Sequence, residues 1–349
     1  MRVMIPVKPR LLIIGLILFA AVIATACVSQ IPTGSPVPTT PAMTTVRVAY
    51  LPLMSNGPLF IAKEEGYFTQ QGINVEFEKF QSATTALPAL INGDIAVSGG
   101  QVSPGLVNAV TKGAHVRIVA DKGRASPGSC VAQGLMVRRD LFESGEVTKA
   151  SDLKGRRIMA NSEQSYGISR ILDMGNLTTD DVEIVNMDFA SGVIALSNGG
   201  IDAGYLSEPY VSQANNSRSA VMLIPAQAYS PNWPAPLYYG PAILDKDPEL
   251  GRRFMVAYLQ GVKQYNQGKT ERNLAILGNY THLDRDILQQ SCWMAVANDG
   301  DLPRKPVREY LDWMYKNNKI DQNPDDDQLF DMSYVNYANA ALGNTTNGG

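Results

Sequence analysis

From residue 45 onward, short apolar stretches alternate with segments whose apolar residues recur at helical spacing. Residues 47–51 and 74–80 read as strands, the second alternating apolar and polar positions. Residues 58–67 read as a helix. So do residues 83–91, where Ala83, Ala86, Leu87 and Leu90 share one face. A strand at 95–97, a helix at 104–112 and a strand at 116–120 continue the pattern. After Cys130 it repeats, with strands at 157–160, 182–187 and 203–206 and helices at 166–174 and 190–197. Such alternation predicts layered α/β sheets with mostly parallel strands. Beyond Asp247 the chain turns helical. Phe254, Tyr258, Val262 and Tyr265 form one stripe, and helices are predicted at 284–296 and 307–316, ending near Ala341.

Two stretches echo each other. ALINGDIAVS at 89–98 and ALSNGGIDAGYL at 195–206 both pass from a helix end through a Gly turn to a small-residue strand. Two lobes on one plan would give this echo, and so would chance likeness of two junctions.

The first 45 residues follow another rule. Lys8 and Arg10 precede an apolar run, 11–24, too short for a comfortable membrane span. Ala24-Thr25-Ala26-Cys27 follows, and the pattern fits an export signal over 1–26. It resembles a lipobox, in which Cys27 becomes the lipid-bearing N-terminus, although Ala24 stands where Leu is usual. A plain signal peptide and an uncleaved anchor are the alternatives. Residues 27–45 carry Pro32, Pro36, Pro38 and Pro41 among Ser, Thr and Gly, the composition of a tether. In an exported chain Cys130 and Cys292 can pair or stay as two buried thiols.

The chain is long enough, at 349 residues, for two cores. Its net charge of −3 gives no support for nucleic-acid binding. No cysteine framework suggests a metal, no cofactor is implied, and no GxSxG, HExxH or P-loop suggests catalysis. The acidic run at 323–327 lacks the spacing of a calcium loop.

Five strand-to-helix junctions share small polar residues: Ser55-Asn56-Gly57-Pro58, Gln81-Ser82-Ala83-Thr84, Ser98-Gly99-Gly100-Gln101, Asn161-Ser162-Glu163-Gln164-Ser165 and Ser207-Glu208-Pro209. Ser and Asn cap helix starts, and helix N-termini offer free N–H groups and partial positive charge. In open α/β sheets these junctions lie at the carboxyl edge, where ligands bind. Capping alone explains any one of them; their number and spread over two halves point to a cleft.

PLFIAKEEGYF followed by GINVEFEKF, with ALINGDIAVSGG, DLKGRRI and DAGYLSEPY, resembles the nitrate/sulfonate/taurine-type solute-binding proteins of ABC importers, over roughly 46–340. Binding proteins for riboflavin and for a thiamine-pyrimidine precursor share that pattern. The resemblance implies a type II periplasmic-binding fold. Its first lobe would span 46–130 and 237–349, and its second 131–236, with crossings near 130–136 and 236–241. It implies a monomeric extracytoplasmic protein, lipid-anchored at the membrane, that passes a small molecule to a permease and its ATPase.

Carried over position by position, the resemblance puts the ligand loops on Asn56, Ser82, Thr84, Gly99, Gly100, Gln101, Ser162, Gln164, Ser165, Tyr166 and Glu208. Trp233, Tyr238 and Tyr239 are candidates for an aromatic wall or for core packing. No Arg or Lys falls within the five junctions, and Arg124, in Lys122-Gly123-Arg124, is read as a solvated charge. Together with Glu208 this favours a neutral or heteroaromatic solute of riboflavin or pyrimidine type. An alkanesulfonate, taurine or nitrate is the alternative. A pyrimidine-precursor synthase, which shares the fold, is disfavoured, because the chain has only His115 and His282 and lacks a Cys-rich stretch. A sensory binding protein without an importer would carry the same cleft.

Overall fold

The computed structural model describes residues 43–125, 128–230 and 233–344, with Trp233 described by its backbone only. The export signal, Cys27 and most of the tether lie outside these residues. Among the described residues no helix is long and apolar enough to cross a membrane.

Ten strands form two five-stranded sheets. In chain order they are β1 (Thr44–Tyr50), β2 (Ile73–Lys79), β3 (Val97–Gly99), β4 (Arg117–Ala125), β5 (Gln133–Arg138), β6 (Arg157–Met159), β7 (Glu183–Val185), β8 (Ala203–Ser207), β9 (Ala220–Pro225) and β10 (Trp233–Tyr239). One sheet has the order β2-β1-β3-β10-β4 and the other β7-β6-β8-β5-β9. In each, the first three strands run parallel, and the fourth is antiparallel to both its neighbours. Each sheet with its helices makes one lobe of a mixed α/β architecture.

The internal echo has a structural counterpart. The helices Ala83–Asn92 and Phe189–Asn198 precede β3 and β8, the third strand in each sheet. Both end on a glycine in left-handed conformation, Gly93 at φ 80° and Gly199 at φ 75°. A side chain with a Cβ would be strained at either.

Strand patterning follows burial. In β1, Val46 and Val48 face the core while Arg47 faces outward, where it donates to the Glu78 carboxylate and the Asp94 carbonyl. The predicted stripe of Phe254, Tyr258, Val262 and Tyr265 lies on the helix Pro248–Tyr265, and all four are buried. They belong to a core shared with β1, β2 and the helix Gly57–Glu64.

Two expectations change. The predicted crossing at 236–241 overlaps the end of β10, which pairs with β3 and β4; the return to the first sheet comes earlier, between β9 and β10. The helix predicted over 284–296 stops at Gln290. Edge strand β4 accounts for the difference, because it engages the following segment. The Arg124 amide donates to the Ala295 carbonyl (3.0 Å), the Ala297 amide to Asp121 Oδ2 (2.8 Å) and the Asp121 amide to the Gly300 carbonyl (2.8 Å). An exposed edge has backbone groups to satisfy, and this segment satisfies them. Beside it Cys292 is bonded to Cys130, so the open cysteine question resolves to a disulfide across 162 residues of sequence.

Candidate functional site

The carboxyl edges of the two sheets face each other across a cavity of about 40 Å³. From the first lobe come Ser55, Gly99, Gly100, Gln101 and Lys122; from the second come Gln133, Glu163, Gln164, Phe189, Ser207 and Glu208. The space is small but exceeds what one water needs.

Lys122 is the charge at the centre of this arrangement. It lies on β4 and is only 1% exposed. Strand alternation sends its neighbour Asp121 the other way, to accept from the Gly123 and Ala297 amides. Lys122 Nζ donates to Ser55 Oγ at 2.9 Å. Burial pushes its ammonium down to about 8, against the pull of Asp121 and Glu163. The glycine at 99 makes room for it: a Cβ there would lie 2.6 Å from Lys122 Cε. The Asp121 and Glu163 carboxylates offset part of the lost hydration but do not restore the usual value, so further negative charge in the cavity would stabilise the ammonium.

Glu163 lines the cavity from the opposite lobe and is 6% exposed. The Thr84 amide donates to its Oε1 at 2.9 Å and the Thr84 hydroxyl at 3.3 Å. Its carboxylate therefore sits on the N-terminus of the helix Ala83–Asn92, where the first backbone N–H groups are unpaired. Burial raises its carboxyl above the usual range, while the Thr84 bonds and Lys122 oppose the rise. A second bridge joins the lobes below it. Gln101 Nε2 donates to Gln133 Oε1 (3.3 Å), which also accepts from the Ser207 hydroxyl (3.2 Å).

The residues expected from sequence divide into three groups. Gly99, Gly100, Gln101, Gln164 and Glu208 line the cavity. Thr84 and Ser162 meet each other instead, hydroxyl to hydroxyl at 3.1 Å across the lobes. The others face elsewhere. Asn56 is turned inward, its Nδ2 donating to the Leu51 carbonyl at 2.7 Å, so its neighbour Ser55 reaches the cavity. Ser82 caps its own helix, accepting from the Thr85 amide. Ser165 begins the helix Ser165–Met174 outside the cavity. Tyr166 packs on Tyr310 and Trp313 at centroid distances of 4.9 and 5.2 Å, an aromatic contact between elements of the two lobes.

Glu208 lines the cavity, but its carboxylate is committed. Oε1 accepts from the Ser212 hydroxyl (2.8 Å) and the Cys292 amide (2.9 Å), and Oε2 accepts from the Ser212 amide (3.0 Å). Burial raises its carboxyl, opposed by those bonds. This is a helix-capping role, one of the two readings open in the sequence. Tyr238 and Tyr239 are buried, donating to the Gly100 and Gly251 carbonyls, which is core packing and not an aromatic wall. The side chain of Trp233 lies outside the described residues.

Sequence reasoning missed Lys122, Gln133 and Phe189 as cavity residues; Ser55, Glu163 and Ser207 lay inside the named junctions without being singled out. For Lys122 a signal existed: no turn residue separates it from the strand predicted at 116–120, and alternation puts it on the face of Ile118 and Ala120. Attention to the junctions alone passed over a cation that arrives mid-strand. His115 lies against Asp245, and His282 ends the helix Glu271–Thr281; neither lines the cavity.

The chain matches the family model described as NMT1/THI5 like over residues 55–267. It is 25% identical over 188 residues to the bicarbonate-binding protein CmpA of Synechococcus elongatus, covering 48% of this chain and 42% of that protein. It is 28% identical over 170 residues to the taurine-binding periplasmic protein of Escherichia coli, covering 48% and 49%. The chain thus spans about half the length of these curated relatives. Among solved structures, the periplasmic nitrate-binding protein NrtA from Synechocystis aligns with a TM-score of 0.73 at 16% identity, covering 87% of this chain and 90% of that one, a likeness of fold. The two-sheet architecture therefore matches that of a periplasmic binding protein, and by its family match this chain belongs to the NMT1/THI5-like family.

Proposed function

We propose that this protein is an extracytoplasmic solute-binding protein that captures a small anion between its two lobes and delivers it to an ABC-type permease. The observation that carries the reading is Lys122: a buried ammonium aimed into a cavity that both lobes wall. Burying such a charge costs several kcal/mol unless a partner compensates it, on the order of magnitude known for buried ions. Asp121 and Glu163 compensate part of that cost, and an anion in the cavity would supply more. The polar amides of Gln101 and Gln133 and the hydroxyl of Ser207 then offer orientation.

This reverses the preference for a riboflavin- or pyrimidine-type solute. That preference rested on the lack of a cation in the junctions and on Glu208 facing the ligand. Lys122 supplies the cation, and Glu208 is occupied as a cap. Relatives named for bicarbonate and taurine, and a structural neighbour named for nitrate, support the anionic class. Export and a lipid on Cys27 would place the protein on the outer face of a membrane, consistent with such a role. Titration calorimetry of the mature chain against bicarbonate, nitrate, taurine, alkanesulfonates, riboflavin and a pyrimidine tests the proposal. Binding within the anionic set supports it, and binding confined to the neutral solutes contradicts it.

A further inference from the structure

A second cavity, of about 300 Å³, adjoins the first. Leu51 and Phe189 line both, so the two are neighbouring compartments of one cleft. They differ in size and in the side chains each presents. The inner compartment holds Lys122, Glu163 and three glutamines, Gln101, Gln133 and Gln164; the outer is walled by Pro52, Phe80 and Tyr210 with the shared Leu51 and Phe189, and also by Lys79, Gln81 and Asp188. Phe189 and Tyr210 stack, with ring centroids 5.7 Å apart and planes 24° from parallel.

The topology makes the outer chamber a matched product of the two lobes. Phe80 follows β2 and Phe189 follows β7, and these strands hold the same place in their sheets. The two aromatic side chains thus line one chamber beside the inner compartment. Phe189 is buried, whereas Phe80 and Tyr210 remain partly exposed. Apolar surface of that kind, left facing solvent within a cleft, is surface that a ligand can cover with profit in free energy. An engineered apolar cavity of about 150 Å³ already takes up benzene.

We infer that the outer chamber is a second subsite, which takes the aryl-sized apolar tail of an organic anion whose charged head lies beside Lys122. The inference rests on the anionic reading of the inner cavity and narrows it. A bare inorganic oxyanion would fill the inner compartment and leave the larger one to water. Lys79 and Asp188 also line this chamber, so a tail longer than one ring would have to share it with charged groups. The ligand is therefore compact: one head, one ring-sized body.

The test is calorimetry on the full mature chain with two matched pairs, benzenesulfonate against methanesulfonate and benzoate against formate. The aryl member of at least one pair is expected to bind about 30-fold or more tighter than its small partner, from the apolar area of one ring. Phe80→Ala and Tyr210→Ala should each cut that ratio at least about fivefold, the loss of one wall of contact. The affinity for the small partner should stay within about threefold, since neither side chain lines the inner cavity. Circular dichroism checks that both variants are folded. A ratio near one, a ratio untouched by both folded variants, or no binding of either aryl anion at millimolar concentration overturns the subsite. Lys122→Met separates the two readings. If it abolishes the binding of small and aryl anions alike, the head site stands whatever the ratio shows; if aryl anions bind it unchanged, the anionic reading itself fails.

Discussion

The Thr84 amide donates to the Glu163 carboxylate at 2.9 Å, joining the start of a helix in one lobe to a short turn in the other. The Thr84 and Ser162 hydroxyls lie 3.1 Å apart beside this contact. Two lobes that hinge need few bonds between them, and these are bonds that an opening motion breaks first. Glu163→Ala removes the acceptor at both Thr84 donors. The expected outcome is a ligand-free protein that opens, with a larger radius of gyration in solution scattering than the unaltered chain and with weaker anion binding. Identical profiles for the two proteins would show that this contact does not hold the lobes together.

Lys122 sets the pH dependence of binding. Burial lowers its ammonium from 10.5 to about 8, so the charged form is disfavoured in the empty fold. The group's contribution to stability is present above pH 10.5, where it is neutral in both folded and unfolded chains. It is lost as pH falls through about 8, at a cost of roughly 3 kcal/mol for a difference of 2.5 units. A bound anion reverses the shift and holds the proton. Binding should therefore be tightest below about pH 8 and should weaken above it by up to about tenfold per pH unit, with uptake of one proton. Calorimetry at several pH values, in buffers of different ionisation enthalpy, measures both. Affinity that stays flat from neutral pH to well above 8 would contradict a charged Lys122 in the site.

Glu208 answers to a different expectation. Its carboxylate is the acceptor for the Ser212 amide, the Ser212 hydroxyl and the Cys292 amide, and Cys292 is held in place by its bond to Cys130. Glu208→Ala would strand buried donors, each costing about 1–3 kcal/mol. The variant is expected to lose thermal stability clearly. A Glu208→Ala protein as stable as the unaltered chain would show that water takes over those donors.

The fold was legible where one residue's neighbours along the chain determine its surroundings. The alternation in β2, the stripe on Pro248–Tyr265 and the capping serines at 82 and 103 all express local periodicity or local hydrogen bonding. The cleft was legible only as a set of junctions. Which side chain in a junction faces the ligand depends on turn geometry: at Ser55-Asn56 the serine faces the cavity and the asparagine turns to Leu51. Lys122 was hidden for a related reason. Two adjacent charges, Asp121 and Lys122, look like a solvated loop until the strand sends them to opposite sides, each to a partner far away in sequence. Tyr166 was placed in the ligand loops with the rest of its junction, but its ring is claimed by Tyr310 and Trp313, on a helix no local pattern connects to it.

The central claim is that the cleft recognises negative charge through Lys122, and Lys122→Met tests it most directly. Methionine keeps most of the side chain's length and apolar stem and removes only the charge, so the variant should fold at least as stably as the unaltered chain. Isothermal titration of both proteins with the best-binding anion at pH 7 is the measurement. The account predicts loss of affinity of at least about a hundredfold in the variant, the scale of a buried charge partner removed. Retention of that affinity by a folded Lys122→Met protein would contradict it.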